Sequence, residues 1–395
     1  MRKVLIIGAG AVQVAGIRRA REMGFHVIAA DDNPDAPGLA LADQADVGHV
    51  KDVAHITALA KAAGVEGIFS IAVESAVKTI AAVCHALGLP GLTPEAAENA
   101  TNKQRMREAW EWSGIASPAS VPCSSVNDTH AAADRLGFPV VVKPADSAGS
   151  RGVSFVASKA ELPAAHAQAL AHSAAGTVLV EEFMHGVEMS VEAFVAGGRF
   201  FSLALSDKIR TEPPYLLDTT VLFPSEQPVA IQDEALRMVE KAAEVLGIDS
   251  APIHAEVMVT PNGPMMVELA ARGPGFKVFT EMIPWVTGID VVRELIRLSV
   301  GETPDFAHPL RRGAVLRFPE APPGRVRRIS GVDDARNVPG VTDLEVYCRE
   351  GDVVRPLTSG ADRVGHIIAM AETRAEALAA VREAETKLRI ETEPQ

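Results

Sequence analysis

The stretch Ala255-Glu256-Val257-Met258-Val259-Thr260-Pro261-Asn262-Gly263-Pro264-Met265-Met266-Val267-Glu268-Leu269-Ala270-Ala271-Arg272 reads as a β-hairpin. Two apolar runs flank a Pro-Asn-Gly turn, and each run carries one glutamate. A carboxylate inside an apolar strand is costly unless it is paired or metal-bound. Two of them brought together across neighbouring strands form a hard-oxygen site for Mg²⁺, which takes one or two carboxylates together with phosphate oxygens. Arg272, followed by Gly273-Pro274-Gly275, adds a fixed cation. A salt bridge from Arg272 to one of the two glutamates is the plainer alternative.

Upstream of the hairpin lie elements that suit a nucleotide. Val140-Val141-Val142-Lys143 is a β-branched run stopped by Pro144, and it leads through Ser147-Ala148-Gly149-Ser150-Arg151-Gly152 into another strand. A loop with free backbone N–H groups beside a strand-end lysine matches the needs of a triphosphate. Lys103, in a helix, is a second candidate cation. Val180-Glu181-Glu182-Phe183-Met184 is an apolar strand running into a connector. Its backbone can meet adenine while Phe183 and Met184 pack on the ring, and Glu188 can hold the ribose hydroxyls. Taken singly, each piece is an ordinary lysine or strand end; in this order they describe a site for ATP.

Further out, residues 3–7, 26–30 and 67–71 read as short buried strands alternating with helices, the pattern of a doubly wound parallel sheet. The turn Gly8-Ala9-Gly10, with Asp31 and Asp32 downstream, resembles a dinucleotide fingerprint. Gln13 stands where the third glycine belongs, so a tight first turn is the better reading than a dehydrogenase. An alternative use of the strand ends, where Asp32, Glu74 and Ser75 also fall, is a substrate crevice. Leu89-Pro90-Gly91-Leu92-Thr93-Pro94 breaks the alternation. The expected domains are 1–94 (Rossmann-like), 95–310 (central, with a lid over about 121–186) and 311–395 (a small C-terminal α+β domain ending in a helix).

The 395-residue length fits several domains. Lys and Arg total 38 against 51 Asp and Glu, a formal net charge of -13. Such a chain is a poor general binder of nucleic acid or anionic membrane, and neither is expected as a partner. Three scattered cysteines without metal spacing suit a reducing cytoplasm. Met1-Arg2-Lys3 and the apolar run after it read as a buried strand rather than a leader, because Arg18, Arg19 and Arg21 follow.

Taken together, Asn102-Lys103, Val140 to Pro144 with the loop to Gly152, Glu181 to Met184, Glu188, and Glu256 with Glu268-Leu-Ala-Ala-Arg272 resemble the ATP-grasp superfamily of carboxylate–amine ligases. The resemblance covers nearly the whole chain and implies an α/β (α+β) ATP-grasp fold. It implies Lys103, Lys143 and the loop residues Ser150 and Gly152 on the nucleotide phosphates, and Glu181, Glu182, Phe183 and Met184 at adenine. Glu188 would lie at ribose, with Glu256 and Glu268 on two Mg²⁺ ions that Mn²⁺ can replace. Related enzymes such as biotin carboxylase carry Asn two residues after the second metal glutamate. Ala270 stands there in this chain, which resembles the L-amino acid ligase branch, as does the tail with Asp362-Arg363-Val364-Gly365. The implied activity joins an amino acid or related carboxylate to an amine, releasing ADP and phosphate, with small-molecule substrates and a homodimeric assembly. Arg272 is assigned to the acylphosphate or tetrahedral intermediate. Lys208, in an expected loop from Ser206 to Pro214, and His254 are candidates near the γ-phosphate or amine. Gly273 and Phe276 are placed at the acyl pocket, although a core role for His254 or Phe276 stays open. The competing readings are a carboxylase or purine-pathway ligase, and a nucleotide-binding protein without catalysis.

Overall fold

The computed structural model describes residues 1–147, 149–307 and 310–394. Ala148 of the glycine-rich loop and the terminal Gln395 lie outside the described residues. The first strand, Lys3–Ile7, explains the N-terminal architecture. Its side chains alternate between two cores: Val4 and Ile6 pack with Ile17 and Phe69, while Leu5 and Ile7 pack with Ile28 and Ile56. A strand buried on both faces must be apolar throughout, as in parallel sheets covered by helices. Lys3–Ile7 pairs in parallel with His26–Asp31 and Gly67–Phe69, and Gln44–Val47 adds a fourth, outer strand. Thr93 caps the helix Pro94–Asn99, its hydroxyl accepting from the Ala96 N–H, where the alternation ends.

Residues 120–182 build a separate antiparallel sheet, ordered Ser120–Cys123, Val178–Glu182, Val140–Pro144, Ser154–Val156. The helices Val126–Leu136 and Leu162–Ala171 cover it, and the unit has its own small core around Val140, Val142, Val156, Leu162 and Val180. The first of these helices carries a capping box of Ser125 and Asp128.

The centre of the molecule is an eight-stranded antiparallel sheet. Its order is Gly263–Ala270, Ser250–Thr260, Val187–Ala196, Arg199–Arg210, Asp218–Phe223, Gly313–Arg317, Gly365–Ala371, Val341–Val346. The strand Val187–Ala196 shows how its two faces differ. Met189, Val191 and Ala193 join the core beneath the helix Val229–Val245, while Glu188, Ser190 and Glu192 point to the other face, all buried. That polar face is the floor of the site. Lys208 lies on the strand Arg199–Arg210, buried, not in the loop expected from its polar surroundings. Three carboxylates on other strands of the sheet compensate its charge, so a polar sequence forms a central strand.

The last three strands of the sheet come from beyond residue 311. The sheet therefore runs across the boundary expected from sequence, with Leu222 and Val315 in one core with Ile367 and Val381. The helix Arg374–Lys387 starts at a capping box of Thr373 and Glu376. The chain does not end in that helix: Arg389–Glu393 follows as a strand pairing with Gly324–Ser330, because Ile390 finds an apolar cluster with Val326 and Val354.

Candidate active site

The hairpin places Glu256 and Glu268 directly opposite each other in register, with a bulge immediately after Glu256. Each has a lysine counter-charge. Lys103 Nζ lies 2.9 Å from Glu268 Oε1, and Lys208 Nζ lies 2.5 Å from Glu256 Oε1. Lys208 also reaches Glu188 at 3.0 Å and Asp218 at 3.2 Å. Burial works against the Lys208 charge, yet the three carboxylates hold its pKa well above the usual lysine value. Burial likewise opposes ionisation of Glu256, but Lys208 and His254 keep that carboxyl well below its ordinary range. Oxygens of Glu188, Asp218 and Glu256 lie within 4.8 Å of one another. Lys208 already fills this all-oxygen, anionic set with its ammonium, whereas Glu256 and Glu268, opposite in register and both lining the cleft beside it, offer hard oxygens of the kind a divalent cation takes.

Beside this cluster runs a cleft lined by Lys103, Lys143, Ser150, Glu181, Glu182, Phe183, Met184, Glu188 and Glu268. Its floor is a buried ionic network. Glu181 meets Lys143 at 2.6 Å and Arg107 Nε at 2.8 Å. Burial opposes its charge, but Arg107 and Lys143 take the Glu181 pKa down to about 2. Lys143 responds the other way. Burial, reinforced by Arg107 and Lys103, outweighs Glu181 and lowers its pKa to about 8. The connector after Glu182 is aromatic and half-open, with the Phe183 ring edge-on to Phe155 at 4.9 Å and to His185 at 4.8 Å. Gly152 does not line the cleft. It has φ +76° and faces His172, where an added Cβ would lie 3.0 Å from the imidazole.

A larger cavity of about 570 Å³ adjoins the cleft, and Ser150, Arg151, Asp218, Glu256 and Glu268 line both. Its size is that of a small-molecule site. Glu74 and Ser75 enter from the N-terminal domain, and Arg272 Nε meets Glu74 Oε2 at 2.5 Å. The alternative partner anticipated for Arg272, one of the hairpin glutamates, is not the one it has. Gly273 does not line the cavity; its carbonyl accepts from Arg272 at 3.0 Å, and a side chain there would strike the Phe279 ring. Phe276 does line it, 46% exposed and at φ +49°, a conformation uncommon for a bulky residue. Arg363 packs its guanidinium 3.5 Å over the Phe318 ring and 4.8 Å over Phe276. His254 accompanies Glu256 on the same strand and pairs with Glu192 at 2.8 Å. Burial resists its protonation, but Glu192 prevails and raises the His254 pKa to about 9. Ala270 is its register partner on the hairpin and lines the same cavity.

Sequence reasoning missed Asp218, Glu192 and Arg107, and gave Arg363, quoted in the tail motif, no place at the site. Glu192 had a signal, since Glu188, Ser190 and Glu192 alternate with apolar residues in the way that singled out the hairpin glutamates. Asp218 closes a proline-rich segment that reads as a loop, and nothing local marks it.

The cleft opens onto the second cavity, and the wall they share carries Asp218, Glu256 and Glu268. The ATP-grasp domain family matches residues 136–280, and the L-amino acid ligase C-terminal domain 2 family matches residues 317–393. The chain carries an ATP-grasp domain followed by an L-amino acid ligase C-terminal domain, the make-up of an ADP-forming ligase. It is similar to "Uncharacterized protein y4rH" of Sinorhizobium fredii, 27% identical over 394 residues, 95% of this chain and 80% of that one. It is also similar to the alanine–anticapsin ligase of Bacillus subtilis, 27% identical over 246 residues, 56% of this chain and 52% of the relative. The chain thus spans only about half of that ligase. Among solved structures, the L-amino acid ligase of Bacillus licheniformis superposes with a TM-score of 0.85 at 20% identity, covering 100% of this chain and 99% of the other. Among the described residues, no helix is long and apolar enough to cross a membrane.

Proposed function

We propose that this protein joins an amino acid or related carboxylate to an amine through an acylphosphate, releasing ADP and phosphate. The observation that carries this reading is the wall shared by the two cavities. A γ-phosphate over Lys103 and Lys143 would be presented across Glu256 and Glu268 to an acid in the larger chamber. A carboxylate is a poor acyl donor because its leaving group would be oxide. Attack of its oxygen on the γ-phosphorus, with ADP leaving, creates a phosphate leaving group. The amine then attacks the acyl carbon, loses a proton and expels phosphate. Such chemistry depends on positioning and on neutralising charge as it develops.

In this reading the connector of Glu182, Phe183 and Met184 receives adenine above the Glu181 network, and Glu188 lies next to it at ribose. Ser150 contributes at the mouth of the cleft, where it lines both cavities. Glu256 and Glu268 would hold Mg²⁺, two ions in all and replaceable by Mn²⁺, whose chemistry is to neutralise the transferred phosphoryl group. Arg272 stabilises the anionic acyl intermediate once Glu74 releases it. Lys208 and His254 balance the acidic floor near the γ-phosphate. Phe276 walls the acyl pocket. Homodimeric assembly belongs to the same reading, with light scattering as its check. A purine-pathway reading requires a free basic cradle for a phosphorylated substrate. Arg19 is instead paired with Glu22 and Asp290, and Arg21 with Asp43.

The test incubates the protein with Mg-ATP and pooled amino acids, following phosphate release and new masses. Amino-acid-dependent phosphate together with a condensation product is the expected result. Absence of ATP turnover with every carboxylate and amine pair would refute the reading.

A further inference from the structure

Among the residues lining the larger cavity, one buried carboxylate oxygen has nothing to accept from. Glu192 is 1% exposed and lines the cavity; its Oε1 meets the His254 ring at 2.8 Å, while its Oε2 has no hydrogen-bond partner among the described residues. Native structures rarely leave such an atom unsatisfied unless something else binds there. The neighbouring pairs on the same floor are closed: Ser190 and Ser206 share a hydrogen bond of 2.6 Å, and Lys208 joins Glu188, Asp218 and Glu256. Among the described residues, Glu192 is therefore the fully buried group on this face with an acceptor left over.

Resting on the ligase reading above, we propose that Glu192 receives the ammonium group of the amino acid whose carboxylate is activated. Two arguments favour the donor over the attacking amine. An ammonium held by a carboxylate keeps its proton, because ion pairing favours its charged form, and a protonated amine cannot attack. Distance agrees. Glu192 stands in register with His254, one same-face step along the strand from Glu256, which is about 7 Å. A molecule with its carboxylate near Glu256 and Arg272 and its ammonium toward Glu192 spans that step when the two groups are separated by one or two carbons. The substrate class is thus an α- or β-amino acid with a free amino group, rather than a simple or N-acylated acid.

Hydroxylamine, used as the acceptor, isolates the donor half of the reaction, since every activated donor yields a hydroxamate. Each common L-amino acid is assayed beside its des-amino counterpart, alanine beside propionate for example, with wild type and Glu192→Gln. Wild type should prefer the amino acid. The variant should lose about 10- to 100-fold in kcat/KM on it, through KM, and little or nothing on the des-amino acid, with KM for ATP unchanged. Thermal stabilisation by Mg-ADP establishes that the variant is folded, and Glu192→Asp, if Gln fails this check, tests the same site. An unchanged amino-acid preference in the variant overturns the role of Glu192. Equal losses on both acid types make Glu192 a support for His254 and overturn it as well. A wild-type protein forming no hydroxamate from any acid refutes the ligase reading itself, a result separate from either of these.

Discussion

At the scale of single residues, burial decides which charges are conditional. Lys143, whose pKa falls to about 8, is more easily neutralised than an ordinary lysine. Its protonated form is the one that attracts phosphate, so affinity for ATP should decline as pH rises through about 8. The folded protein also holds this proton less tightly than the unfolded chain. The stability contribution of Lys143 is therefore lowest below about pH 8 and grows as pH climbs toward the ordinary lysine value. Titrating ATP binding between about pH 7 and 9 should show the decline, and Lys143→Arg, charged throughout, should flatten it. A flat wild-type profile would remove Lys143 from the phosphates. Glu268→Gln should abolish turnover while leaving the thermal transition cooperative; retained activity would refute the metal assignment. For Arg272→Gln, a loss of about 100- to 1,000-fold in kcat is expected with KM for ATP nearly unchanged. A loss confined to KM would instead place Arg272 in ground-state binding.

At the scale of elements, the turn after Arg272 and the connector after Glu182 set the shapes of the two chambers. Phe276 is held in its left-handed conformation between neighbours on both sides: Lys277, also at positive φ, meets Asp343 at 2.5 Å, and the Phe276 ring lies edge-on to Phe318. Phe276→Ala should therefore open the acyl chamber without collapsing the turn and admit bulkier donors, seen as a changed donor profile. An unchanged profile would take Phe276 out of the pocket. These elements also show what the sequence could and could not reveal. The hairpin was legible because two carboxylates in apolar strands are a conflict that pairing or a metal must resolve, and the structure sets them, half-buried, opposite each other. The strand carrying Lys208 was not, since Asp-Lys-Ile-Arg-Thr-Glu is locally polar and becomes a central strand only through Glu188, Asp218 and Glu256 on other segments. The helix Val126–Leu136 was overlooked despite its Ser125–Asp128 capping box, a local signal that was available. Partner choice was the least legible: Arg272 meets Glu74, 198 positions away, and no local pattern specifies that.

At the scale of the whole molecule, the excess of acid and the binding of a triphosphate are compatible because the cations converge. Lys103, Lys143 and Arg272 all face the two joined cavities, while the net charge of -13 belongs to the chain as a whole. The C-terminal segment is bound into that centre more firmly than a peripheral domain would be. Gly313–Arg317 continues the central sheet from Asp218–Phe223, and Arg363 donates to the Asp218 carbonyl at 2.8 Å. Asp218 is one of the three carboxylates around Lys208, so the far end of the chain supports the floor of the site. Ending the chain after Arg311 would strip three strands from the sheet, leave the edge Asp218–Phe223 unpaired and expose Leu222 and Phe223, which are 2% and 0% exposed in the full chain. An unpaired apolar edge strand invites aggregation. The truncated chain should therefore be insoluble, or soluble without a cooperative thermal transition and without stabilisation by Mg-ADP. A monodisperse fragment that binds nucleotide as well as the full chain does would show that the central domain folds alone and that the shared sheet is a docking arrangement rather than a structural requirement.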